Sequence, residues 1–83
     1  MYEIFFQPPA ERFLKKIDNH LKERIIRKIE ELSANPRIGI PLTGNLSGLW
    51  KLRIGDYRAI YQIFENRVIV SVLRIGHRKN VYE

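Results

Sequence analysis

The chain reads as an α+β fold: an N-terminal strand, a helical hairpin, and then a three-stranded antiparallel meander, with the helices packed on one face of the sheet. Three observations predict it. Phe13, Ile17, Leu21, Ile25, Ile29 and Leu32 recur at three- and four-residue spacing, the pattern of an amphipathic helix. Runs of strand-forming residues at about 49–54, 57–64 and 67–74 are separated only by Gly55-Asp56 and Glu65-Asn66, connections short enough for hairpins. Each pattern has one apolar face, and two such faces bury each other in a layered fold.

Taken in order, Tyr2-Glu3-Ile4-Phe5-Phe6 forms a short strand stopped by Pro8-Pro9, and Pro9 starts a helix because proline fits the first helical turn. One unbroken helix from Pro9 to Ala34 would be roughly 39 Å long. A compact chain of this length has a radius of gyration of only about 12 Å. The helical stretch therefore breaks, and Asp18-Asn19, both good cap and turn residues, mark the place. Asn35-Pro36 ends the second helix. Residues 36–48, with Pro36, Gly39, Pro41, Gly44 and Gly48, read as a loop.

Composition narrows the function classes. With 83 residues the chain is expected to be one domain, residues 1–83, near the lower limit for a self-sufficient core. It has no cysteine, so disulfide frameworks and cysteine metal sites are excluded. Neither a leader-like N-terminus nor a run of 18 apolar residues is present, so the expected location is the cytoplasm, with no membrane partner. The net charge of +6 favours an acidic partner. Residues 1–36 carry seven Lys/Arg against six Asp/Glu, whereas residues 37–83 carry eight against three, so the excess sits in the second half.

Within that half the charges cluster. A two-residue Gly55-Asp56 turn pairs Ile54 with Tyr57 and sets Arg53 directly opposite Arg58. Alternation along the strand puts Lys51 on the same face, and Trp50, Leu52, Ile54, Tyr57, Ala59 and Tyr61 on the other. Like charges directly opposite each other are destabilising. The arrangement suits an anion-binding face, nucleic acid above all; the alternative is ordinary solvated strand cations. With Glu65-Asn66 as a second two-residue turn, Ile63 pairs with Val68, Tyr61 with Val70 and Leu73 with Arg58. The open sheet face is then cationic at one end and apolar at the other, with Ile60, Ile69 and Leu73 left for a partner chain to cover.

The segment Ile75-Gly76-His77-Arg78-Lys79-Asn80-Val81-Tyr82 starts near the Arg53–Arg58 end and adds an imidazole, a guanidinium and a phenol. Cations that hold phosphate beside rings that stack on bases suit RNA. No Gly-rich phosphate loop, paired-carboxylate motif or His-Glu-x-x-His helix is present. His20 reads as a surface residue of the helical turn. Lys, Arg and Tyr without a carboxylate suit attack of a ribose 2′-OH on the adjacent phosphodiester, since RNA carries its own nucleophile. The protein must align the groups, stabilise phosphorane charge and manage two protons.

The run Leu49-Trp50-Lys51-Leu52-Arg53, then Asp56-Tyr57-Arg58-Ala59-Ile60-Tyr61, and the stretch from Ile75 to Tyr82 resemble the RelE branch of the RelE/ParE toxin superfamily. The resemblance extends to the opening strand, the helical hairpin and Asn35-Pro36-Arg37. It implies an enzyme, a metal-independent endoribonuclease (mRNA interferase) that enters the ribosomal A site, cleaves mRNA to a 2′,3′-cyclic phosphate and stops translation, with no cofactor. It implies a RelB-like cognate antitoxin as partner, and operator DNA bound only through the antitoxin complex. By position, Lys51 matches a general-base and positioning residue, Arg58 the arginine that stabilises the transition state, Arg78 the general acid, and Tyr82 the aromatic that orients the scissile nucleotides. Arg53 stands where a second lysine is often found, and His77, where a further cation is common, adds an imidazole able to act as acid or base. Two other readings share the fold or the charge: a ParE-like inhibitor of DNA gyrase, and a non-catalytic nucleic-acid-binding module.

Overall fold

A computed structural model describes residues 1–79 of the chain. Its elements are β1 (Glu3–Phe6), α1 (Pro8–Lys16), α2 (Asn19–Glu30), β2 (Ile40–Pro41), β3 (Trp50–Ile54), β4 (Tyr57–Phe64) and β5 (Ile69–His77). The α+β class, the helical hairpin and the meander are as the sequence predicts. The helical stretch breaks at the expected place: Ile17 is extended, and the Asp18 carboxylate accepts a hydrogen bond from the Leu21 N–H at 3.0 Å, capping α2. The radius of gyration, 11.9 Å, leaves no room for a single rod.

The five strands run in the order β1-β5-β4-β3-β2. β1 pairs parallel with β5 at one edge, and the helices form the crossover that a parallel pair requires. Tyr2 and Ser33 fasten this crossover through a 2.9 Å backbone bond and a 2.7 Å bond from the Ser33 hydroxyl to the Tyr2 carbonyl. The opposite edge was not legible as a strand. Residues 36–48 are not wholly loop: Ile40 and Pro41 pair with Lys51 and Trp50, and single 3-10 turns stand on either side at Pro36–Ile38 and Gly44–Leu46. A strand of two residues gives no periodicity, and a proline on an edge needs no partner for its nitrogen.

The third meander strand also differs from its expected place. It runs to His77 rather than ending near residue 74, because Glu65–Arg67 form a 3-10 turn and Val68 adopts a left-handed conformation with φ 56°. The register shifts by two residues, so Tyr61 pairs with Val72 and Ile63 with Val70. A shift of two preserves the faces. A bulge between Ile60 and Tyr61 then changes the phase: Ile60 pairs with Arg74, and Arg58 lies opposite Gly76, not Leu73.

Ile25, Ile29, Leu32, Tyr61, Val70 and Val72 fill the layer between helices and sheet and are wholly buried. α1 contributes Ala10 and Leu14 more deeply than the predicted Phe13 and Ile17, which stay half-buried at the rim. On the other sheet face Ile60 is 4% exposed. The chain's own segment Leu42–Leu49 covers it, leaving an apolar groove of about 440 Å³ between that segment, Pro8-Pro9 and Leu73. No helix among the described residues is long and apolar enough to cross a membrane. Ile29→Ala is expected to destabilise the fold by about 2–5 kcal/mol in urea denaturation, the range for deleting a wholly buried large aliphatic side chain. A loss under about 1 kcal/mol would show that the helix–sheet layer relaxes around the cavity.

Candidate functional site

Gly55 has φ 60° while Asp56 keeps a negative value, which fits a two-residue turn with glycine first. This turn sets the register that pairs Ile54 with Tyr57 and Arg53 with Arg58. Lys51, two residues before Arg53, lies on the same face, paired with Ile60 on one side and Ile40 on the other. Lys51 and Arg58 are half-buried and Arg53 is exposed. The three cations line one depression of about 440 Å³ together with Ile38, Gly39 and Ile40, and with Lys28 and Glu31 from the end of α2. A second depression of about 510 Å³, lined by Arg24, Arg27, Lys28, Glu31 and Arg53, continues it along the helix.

Sequence reasoning missed Lys28 and Glu31. Their 3.2 Å ion pair has the spacing of a solvated helical surface, and only the approach of α2 to the β3 edge brings it to the site. Glu31 is the one carboxylate among the residues lining either depression. Arg74, shifted by the bulge, shares the face of Ile60 and Arg58.

Arg78 is placed beside the hairpin, where its N–H donates to the Asp56 carbonyl at 2.9 Å just past the end of β5. His77 is not brought to the cations. It pairs with Tyr57 on the helical face, its ring 5.7 Å from that of Tyr57 in an edge-on arrangement, and Phe13 packs on Tyr57 from α1. The phase change at the bulge is the cause, since it turns Ile75 and His77 to the helix side. Tyr82 lies outside the described residues.

Behind Lys51, Tyr61 is wholly buried and donates a 2.6 Å hydrogen bond to the Pro36 carbonyl. Burial pushes the Tyr61 phenol above the ordinary tyrosine pKa, and a hydrogen bond from the Gly39 backbone offsets part of that rise. A raised folded-state value stabilises the fold below the unfolded value, near 10, and that contribution is lost as pH rises through the folded value. In an alkaline titration followed by phenolate absorbance and circular dichroism, Tyr61 should ionise only together with unfolding. Ionisation of all tyrosines before any loss of structure would refute this.

The fold is thus a five-stranded mixed sheet backed by a helical hairpin, with lysine and paired arginines on its open face. Comparison with known proteins identifies the class. Residues 4–82 match the family described as the ParE toxin of type II toxin–antitoxin systems, and the chain belongs to that family. It is similar to Toxin RelG of Mycobacterium tuberculosis, 32% identical over 98% of this chain and 95% of the relative. It is also similar to the mRNA interferase toxin RelE of Escherichia coli K12, 28% identical over 94% of this chain and 84% of that protein. Among solved structures it superposes on a chain of the toxin–antitoxin complex RelBE2 from Mycobacterium tuberculosis with a TM-score of 0.85 and 32% identity, covering 95% of this chain and 93% of that one. The chain is a RelE-like toxin of a type II toxin–antitoxin system.

Proposed function

We propose that this toxin cleaves mRNA in the ribosomal A site, using Lys51, Arg53, Arg58, Arg78 and Tyr82. The observation that carries the proposal is the convergence of Lys51, Arg53 and Arg58 on one depression, with the two arginines directly opposite each other across the strands. The resemblance to a relative named mRNA interferase supports it. The RNA 2′-OH gives its proton to Lys51 and attacks the adjacent phosphorus, and Arg58 and Arg53 stabilise charge on the phosphorane oxygens. The 5′-oxygen leaves with a proton from Arg78, giving a 2′,3′-cyclic phosphate and a 5′-hydroxyl. His77, on the helical face, has no part in this assignment. A RelB-like antitoxin neutralises the toxin, and operator DNA is bound through that complex. Solved neighbours that are chains of toxin–antitoxin complexes support this partner.

The deciding experiment maps mRNA 5′ ends after induction in cells. Codon-spaced cuts within translated regions are expected. A second reading, inhibition of DNA gyrase without catalysis, is favoured by the ParE name of the matching family. DNA damage without such cuts would establish it in place of the first.

Tyr82 is tested by substitution. Tyr82→Ala should slow cleavage about a hundredfold, since misplacement of reacting groups by about 1 Å has that effect. Tyr82→Phe should keep most activity if the ring stacks and lose it if the hydroxyl acts. Unchanged cleavage by Tyr82→Ala would remove this residue from the site.

A further inference from the structure

We infer that the Tyr61 phenol is a positioning residue for Lys51, acting through the Pro36–Gly39 segment; the inference rests on the proposed role of Lys51. Tyr61 sits in β4 beneath the site, and its hydroxyl is engaged from both directions by one short segment. It donates to the Pro36 carbonyl at 2.6 Å and accepts from the Gly39 backbone. A wholly buried phenol needs such partners, and this one finds them in the stretch that leads into β2.

Gly39 shows how closely that stretch is pressed onto the site. A Cβ added there would stand 2.4 Å from the Tyr61 hydroxyl oxygen and 2.5 Å from the Lys51 carbonyl oxygen. The φ of Gly39 is −78°, so glycine is required by space and not by backbone conformation. The next residue, Ile40, pairs with Lys51. Trp50, the neighbour of Lys51, pairs with Tyr61 across the strands and stacks on its ring at 6.3 Å. The backbone of Lys51 is thus held by β4 on one side and on the other by a two-residue strand. So short a strand has little pairing of its own to keep it in place. The phenol supplies the anchor.

A lysine on a four-carbon stem acts as a base only when its backbone is fixed and its amine is within hydrogen-bond reach of the proton it takes. Loss of the hydroxyl leaves Pro36 and Gly39 without their partner, and the strand beside Lys51 becomes free to shift.

The test uses the full chain on ribosomes programmed with mRNA, under single turnover and well below the melting midpoint of each variant. Tyr61→Phe keeps the ring and its stacking. It is expected to cleave about tenfold or more slowly at saturating toxin, with unchanged affinity for the ribosome. In a Lys51→Ala background the same change should have no further effect. Equal losses in both backgrounds, a loss of affinity instead of rate, or no loss at all would overturn the inference. Gly39→Ala, whose Cβ crowds both the Lys51 carbonyl and the Tyr61 hydroxyl and so forces the segment away, should reproduce the loss and serves if Tyr61→Phe does not fold. An independent measurement separates this inference from the proposed function. Acetylation of Lys51 by acetic anhydride, followed by mass spectrometry, should change severalfold in Tyr61→Phe while that of Lys15 and Lys22 does not. If the wild-type protein cuts no mRNA yet this change is seen, the positioning stands and the mRNA reading fails. If Lys51 reactivity is unchanged, the positioning fails whatever the substrate.

Discussion

Arg58→Ala is expected to lower mRNA cleavage by about 10²–10³-fold and to abolish toxicity while leaving the fold in place. The size follows from removing one preorganised donor from a developing oxyanion. The persistence of the fold follows from the pairing: Arg58 faces Arg53 directly across the β3–β4 ladder, and like charges so placed oppose folding by a few tenths of a kcal/mol up to about 1 kcal/mol. Against this stands the packing of the half-buried Arg58 stem, which alanine removes. The two effects have opposite signs, so the thermal midpoint should move by only a few degrees. Toxicity, cleavage rate and melting are measured on the same variant. Loss of both activity and fold would show that Arg58 is structural; full activity would remove it from the site.

How much of this was legible beforehand depends on the scale of the signal. The Arg53–Arg58 pair was, because a two-residue turn fixes the register of its hairpin and Gly55 identifies the turn. The helical break was, because Asp18-Asn19 interrupts a periodic stretch too long for the molecule. Strand β2 was not, since two paired residues have no period. Nor was the bulge at Ile60/Tyr61, which no residue type announces and which sends Arg74 to the cationic face and His77 to the helical one. The Glu65–Arg67 turn was misread for a related reason: Asn66 suggests a tight hairpin, but the left-handed residue is Val68. A β-branched residue is an uncommon choice for that conformation, and composition gives no warning of it. Lys28 and Glu31 illustrate a different limit. Their spacing was visible, but their place at the site depends on how α2 lies against the edge of β3.

Lys51→Arg should separate charge from proton transfer. Arginine keeps the positive charge and presents more donors to phosphate, so ribosome and mRNA binding should persist within about threefold. Its guanidinium stays protonated in the resting protein and so is a poor acceptor for the 2′-OH proton. If Lys51 takes the proton from the 2′-OH, cleavage in Lys51→Arg falls by about 10²–10⁴-fold, the usual contribution of a positioned general base. The surroundings accept the substitution, since Lys51 lines an open depression and is only half-buried, so the melting midpoint should stay within a few degrees of wild type. Wild-type-like cleavage by the variant would mean that only charge matters at this position. Glu31, which lines the same depression and is held by Lys28 at 3.2 Å, would then be the next group to test as the proton acceptor.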